Sequence, residues 1–444
     1  MRIALIPIDN RPVCYTLAQN IASIDESIDL ILPPRELLGD LKKAADKNAI
    51  LDWLKNLTDI DALIISLDTL TYGGLIPSRR GIDGKLETLD EIKSFAQEFK
   101  PLLKNKKVYA FSSIMRIPNN NYNDEEKEYW AKYGKKIFEY SYNTDKFGKT
   151  FESDIPSEIL EDYLDTRKRN FEINKMYLNW QKEGLFETLI FSKDDCAEYG
   201  LNVQEAHELE KLGGTTKTGA DEIPLSLLAR AVKKDIKIYP IYTEPNYKNC
   251  ISNYEDVSIE KSVIGQIELA GMEVAKNEKE ADVILVVNNF INKQGEHVMG
   301  WETEPYHSDL KLPTKFYAIA DVRYANGADN SFVEKLLPQI ESDKFYGYSA
   351  WNTSANSLGS LLAGIKFKYN AQMYNDKAFR KLQTIRFLDD WAYQANVRSQ
   401  ITEPCQIKHL MKPFEDIVFC IFGKYKAIDY IYPWKRKFEI EVCL

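Results

Sequence analysis

Histidine is scarce in this chain of 444 residues, with four in all, at positions 207, 297, 307 and 409. That scarcity disfavours histidine-rich metal centres and Ser-His-Asp triads, both of which need imidazole as ligand or base. The six cysteines (Cys14, Cys196, Cys250, Cys405, Cys420 and Cys443) are scattered without a C-x-x-C pair. Their spread argues against a zinc site or a disulfide framework and for a reduced, cytoplasmic protein. No run of about eighteen apolar residues occurs, and the first residues enter a strand-like run without a signal-peptide pattern, so neither a membrane span nor export is expected. Positive charge is in deficit as well: 58 Lys and Arg stand against 67 Asp and Glu, a formal net charge of -9. Nucleic acid and anionic membranes attract basic footprints and are not expected partners. No glycine-rich phosphate cradle follows a strand, Gly213-Gly214 reads as a loop, and no cofactor is expected.

What the chain does have is a core: 44% of residues are hydrophobic and 12% aromatic, which excludes disorder. Short apolar runs repeatedly end in acidic or amide residues. Ile3–Ile8 leads into Asp9-Asn10-Arg11, Ala62–Leu67 into Asp68, and Thr188–Ser192 into Asp194-Asp195. Likewise Val283–Val287 leads into Asn288-Asn289, Phe316–Ala320 into Asp321, and Phe345–Ala350 into Asn352. Such runs, flanked by helical periodicity, read as buried parallel strands. Helical segments are expected at Leu17–Ile24, Ala49–Leu57, Leu86–Phe99, Pro224–Lys233, Ile259–Ala275, Ser354–Ile365 and Lys377–Arg398. One or two more fall within Asp154–Gln181. After Gln406 the pattern reads as β again, at Asp416–Phe422 and Lys437–Val442.

This alternation predicts an α/β fold. The expected form is a (β/α)8-barrel-like parallel core over residues 1–330, with a C-terminal helical and β extension over 331–444 that contributes to the site. Two α/β lobes with a cleft are the alternative, because there is one strand candidate too many for a barrel of eight. In parallel sheets ligands sit beyond the carboxyl ends of the strands, so the recurring polar ends point to one carboxylate-rich pocket.

Asp194-Asp195 is the expected catalytic pair. Neighbouring carboxylates at a strand end can divide the work, one holding a proton and the other staying charged; an Asp here also serves simply as a helix cap. Asp221 and Glu222, in Gly219–Pro224, join the candidates, although first-turn acids equally complement a helix dipole. Asp68 and Tyr72 precede Gly73-Gly74, Arg79 offers a guanidinium fork, and Arg116 leads into an Asn-rich turn at Asn119. Further substrate-binding candidates are Asp9, Arg11, Asp321, Tyr324, Asn326, Trp351 and Asn352. Asn352 and Asn356 would share a face if a helix began at Asn352.

Taken in order, these blocks resemble the bacterial family called domain of unknown function 4127. The resemblance runs from Pro7–Val13 through Leu32–Gly39, Ser66–Asp68 with Tyr72–Leu75, and Ile114–Pro118. It continues through Tyr129–Gly134, Asp194-Asp195 with Tyr199-Gly200, Gly219–Glu222, Ala320–Asp329, Trp351–Thr353 and Pro433–Arg436. This chain departs from the family pattern at Asn10, where an acid is usual, and at Ser354 and Ser357. A looser resemblance, resting on Asp194-Asp195 alone, is to barrel glycosidases that act on N-acetylhexosaminides.

The expected function is a carbohydrate-active hydrolase, a glycosidase acting on a small-molecule or oligosaccharide substrate. The alternatives are a metal-dependent hydrolase of a phosphate or amide, with Asp9, Asp68 and Asp321 as oxygen ligands, and a non-catalytic sugar or nucleotide-sugar binding protein. Composition leaves the oligomeric state open.

Overall fold

The computed structural model describes residues 1–81, 86–149, 154–232 and 234–444; Lys233, at the end of one expected helix, lies outside them. The chain forms two compact units. One comprises Met1–Tyr15, Asp29–Pro224 and Tyr254–Asp256; the other comprises Thr16–Ile28, Leu225–Asn253 and Val257–Leu444. The expected division at 330/331 falls inside the second unit, where helix Asn330–Leu336 begins.

The first unit is built on β1 (Arg2–Ile6), β2 (Asp29–Ile31), β3 (Ala62–Ser66), β4 (Val108–Ile114), β5 (Thr188–Lys193) and β6 (Thr216–Thr218). They form one parallel sheet in the order β2-β1-β3-β4-β5-β6. Every residue of β3 and β4 is buried, as a parallel sheet covered on both faces requires. Helices Lys47–Lys55, Leu89–Leu103 and Ser157–Lys182 pack Ile50, Leu54, Ile92, Phe99, Tyr177 and Trp180 against Leu63, Ile65 and Phe191. Asp154–Gln181 thus becomes essentially one long helix. β6 escapes the sequence pattern because Thr216-Lys217-Thr218 has no apolar run.

The second unit carries β7 (Lys237–Tyr242), β8 (Glu273–Val274), β9 (Val283–Asn288), β10 (Gly295–Glu296), β11 (Tyr317–Asp321), β12 (Tyr324–Ala325) and β13 (Phe345–Ser349). Its main parallel sheet has the order β13-β11-β9-β7-β8, and β10 pairs with β12. Expected helix Ile259–Ala275 stops at Leu269 because Gly271, at φ 67, turns the chain toward β8. Near the C-terminus β14 (Asp429–Ile431) pairs antiparallel with β15 (Glu441–Cys443). Asp416–Phe422, expected as β from its apolar density, belongs to helix Ile407–Phe422. Its inward residues Ile407, Met411, Val418 and Phe422 recur at helical spacing, and that packing outweighs local β propensity. Of Lys437–Val442, only the last two residues enter a strand.

Both main sheets share one order: the second strand lies on one side of the first, and the third, fourth and fifth lie on the other. This is a doubly wound arrangement. A barrel instead needs each strand beside its predecessor until the sheet closes; neither sheet closes among the described residues. The protein is therefore α/β with parallel sheets of six and five strands. Among the described residues, no helix is long and apolar enough to cross a membrane.

The turn after β3, which carries Asp68, leaves little room for change. Ser66 Oγ accepts from the Thr69 amide at 3.2 Å and caps helix Leu67–Tyr72, which ends at Gly73 with φ 84. A Cβ on Gly73 would lie 2.7 Å from Ala44 Cβ. Gly73→Ala should therefore lower stability by ~1–3 kcal/mol, through positive φ and overpacking together, measured by urea unfolding against wild type.

Candidate functional site

In a doubly wound sheet the strand order reverses between the first and third strands, and the crevice beyond their carboxyl ends is where ligands bind. In the first unit that point lies between β1 and β3. Thr69 Oγ1 donates to the carbonyls of Pro7 (2.7 Å) and Ile8 (3.1 Å), tying the two strand ends together. Asp9 follows β1. Arg11 Nε donates to Asp9 Oδ2 at 2.9 Å, and its two terminal nitrogens reach Asp221 at 2.5 and 3.2 Å. One buried guanidinium thus joins the ends of β1 and β6.

Asp9, Cys14 and Asp221 place their ligand atoms within 4.8 Å of one another, the spacing of a metal site. Arg11 already binds both carboxylates of that group. The donor set fits an arginine-centred ion triad and not a cation cage.

Asp68 follows β3 and is only 1% exposed. Its Oδ2 accepts from the Ser113 amide at 2.8 Å. Burial pushes its pKa up to about 7, although the Ser113 hydrogen bonds and the Arg79 charge oppose the shift. Tyr72 lies in the core below, with the Arg169 guanidinium 5.3 Å from its ring centroid.

Arg116, just after β4, is the hub of the site. Its Nε lies 2.8 Å from Glu126 and its Nη2 2.9 Å from Glu125, while Nη1 alone faces Asp195 (3.0 Å) and Asp194 (3.5 Å) beyond β5. Arg79 reaches the same glutamates at 2.9 and 3.3 Å. Its guanidinium is engaged by the protein's own acids. Burial, and then the charge of Asp195, push Asp194 up to about 7 against the pull of Arg116. Asp195 is also raised, chiefly by burial, and its backbone takes φ 40, an uncommon conformation that Asp tolerates better than most residues. The side chains of Asp194 and Asp195 remain 16% and 22% exposed. Of the carboxyls held near neutrality in this unit, Asp194 can be reached from solvent and Asp68 is sealed.

Among the other candidates in this unit, Glu222 is buried beside Asp221 and Asn119 is exposed. Glu125, Glu126 and Ser113 were not singled out by sequence. The glutamates sit in a polar loop that reads as solvated, and only the adjacency of two acids near Arg116 hints at them.

The remaining candidates belong to the second unit. Asp321 ends β11, fully buried; Asn288 Nδ2 (2.8 Å), the Asp329 amide (2.9 Å) and Tyr348 OH (3.1 Å) all donate to it. Burial and the Asp329 charge raise it to about 7. Tyr324 donates to the Thr303 carbonyl at 3.1 Å and stacks on His297. Asn326 donates to Glu296 at 2.7 Å. The amides of Ala350 and Trp351 donate to Asp390 Oδ2 at 2.6 and 3.2 Å. Asn356 donates to Asn352 Oδ1 at 3.3 Å, although the helix begins at Ser354 and not at Asn352. Asp389 and Asp390, raised mainly by burial to about 7 and about 6, were also missed by sequence reasoning; two acids inside the apolar run Phe387–Ala392 were the available signal.

These shifts set a pH dependence of stability. Asp68, Asp194, Asp321, Asp389 and Asp390 hold protons in the folded state that an unfolded chain releases near pH 4, so between about 4 and 7 the native state binds more protons. Their contribution is full below the unfolded value and is lost as pH rises through the folded one. The melting temperature should fall as pH rises from about 5 to 8, read by calorimetry at constant ionic strength.

Comparison with curated proteins finds no match. A family profile matches residues 3–418, nearly the whole length, and the blocks that carry the site lie within it. The chain therefore belongs to the family described as protein of unknown function (DUF4127).

Proposed function

We propose that the protein is a carbohydrate-active hydrolase, a glycosidase in which Asp194 is the general acid and Asp195 the orienting carboxylate. The observation that carries this reading is the Asp194-Asp195 pair itself. Two carboxyls share one guanidinium nitrogen, stay partly exposed, and include one held up to about 7. A general acid works best with a pKa near the working pH, and glycoside cleavage calls for one protonated and one ionised carboxyl.

In this mechanism Asp194 gives its proton to the glycosidic oxygen as the bond from that oxygen to the anomeric carbon breaks. With an N-acetylhexosaminide, the acetamido oxygen attacks the same carbon while Asp195 holds the acetamido N–H. Water then opens the resulting ring and returns a proton to Asp194. Arg116 favours the ionised form of Asp195 against the effect of burial while the pair shares one proton. Asp9, Arg11 and Asp221 form the wall at the β1 end.

Hydrolysis should lose its basic limb near pH 7, where Asp194 gives up its proton. On a panel of chromogenic glycosides, Asp194→Asn should lower kcat by about 10²–10⁴-fold with melting behaviour near wild type. Asp195→Asn should fall most on N-acetylated substrates. Equal rates for wild type and both variants on every substrate would remove the proposal.

A further inference from the structure

Arg116 has five N–H groups and can donate to all four acids around it, but its single positive charge cannot balance four negative ones. Nε lies against Glu126 and Nη2 against Glu125, at 2.8 and 2.9 Å. Only Nη1 is left for the exposed pair, 3.0 Å from Asp195 and 3.5 Å from Asp194. Arg79, 1% exposed, pairs with the same two glutamates and acts on Asp194 more weakly than Arg116 does. We infer that Glu125 and Glu126 are positioning residues that hold Arg116 away from full engagement with Asp194 and Asp195, so that the pair retains a proton. This deepens the glycosidase reading and rests on it only for the use made of that proton.

A carboxyl next to arginine ordinarily loses its proton more readily. Asp194 does not behave so: burial and then the Asp195 charge raise it. Arg116 does not offset them, because its Nη1 faces two aspartates at once while the rest of the cation is balanced by glutamates. The charged groups bearing on Asp194 are Asp195 on its own loop, Arg116 after β4, Arg79 after β3, and Asp221 after β6. Asp195 also feels Glu125 and Glu126. Lys193 is turned to Asp256 at 2.5 Å, both buried, and so is committed elsewhere. Glu125 and Glu126 pair with Arg116 and bear electrostatically on Asp195. Removing one of their charges frees the guanidinium toward the pair.

Glu126→Gln keeps the side chain's shape and an oxygen that can accept from Arg116 Nε, but removes the negative charge that balances the guanidinium there. The Asp194 titration midpoint should move to lower pH by about one unit, and the basic limb of hydrolysis should move with it. A merely structural glutamate would leave the midpoint unchanged or, by loosening Arg116, raise it. Loss of direct repulsion would lower it even where Arg116 is replaced by Gln, whereas a role exercised through Arg116 disappears in that background.

The experiment is carboxyl-¹³C NMR titration of the full-length protein labelled at aspartate, with the Asp194 signal assigned by its loss in Asp194→Asn. A lower midpoint in Glu126→Gln that is absent when Arg116→Gln is also present is the expected result; an unchanged or higher midpoint, or a shift that persists without Arg116, overturns the inference. Should Glu126→Gln fail to fold, Glu125→Gln is read by the same criterion. A lower midpoint in a protein that cleaves no glycoside would refute the proposed function alone. Hydrolysis that depends on Asp194 with an unmoved midpoint would refute the positioning role alone.

Discussion

An excess of buried and half-buried carboxylates over guanidiniums governs the first unit. Asp9, Asp68, Glu125, Glu126, Asp194, Asp195 and Asp221 gather at the carboxyl edge of one sheet, and the arginines that answer them are Arg11, Arg79 and Arg116. Taking an ionised group out of water without a partner costs far more than protonating it. Arginine can bridge two carboxylates with one planar fork, which lysine cannot do, and each of the three arginines does so. What they leave uncompensated is met by protons on Asp68 and Asp194. The proposed chemistry draws on the second of these, because it is the one solvent reaches.

Burial and function part company between the two acids. Asp68 has the raised pKa of a functional acid, yet it is sealed and bonded to the Ser113 amide; it braces the ends of β3 and β4. The second unit repeats the same strand order with its chemistry closed. Arg323, fully buried, spreads over Glu244 (2.9 Å), Asn288 (3.2 Å) and the Glu304 carbonyl (2.8 Å). Asp321 accepts three hydrogen bonds. A perturbed pKa marks a functional candidate only when the group can also be reached.

Family membership and the α/β class were legible in the chain, since buried parallel strands such as Ile3–Ile6 and Ala62–Ser66 have to be continuous apolar runs. β6 and β8 were not, because Thr216-Lys217-Thr218 and Glu273-Val274 contain no apolar run. Asp416–Phe422 misled because a dense apolar run fits strand and helix alike until its neighbours choose a face. Glu125 and Glu126 stayed hidden for a different reason. A glutamate in an asparagine-rich loop looks solvated, and only Arg79, from the segment after β3, shows otherwise.

By itself, then, the sequence determined which residues end the strands, because polar groups cannot continue into a buried sheet. It also determined that arginine and acid alternate along those ends. Only the tertiary structure decided strand order, and with it that Arg11 meets Asp221, Arg79 meets Glu126, and Arg116 meets Asp195. Such pairings join separate stretches of the chain, and local periodicity carries no information about which strand lies beside which.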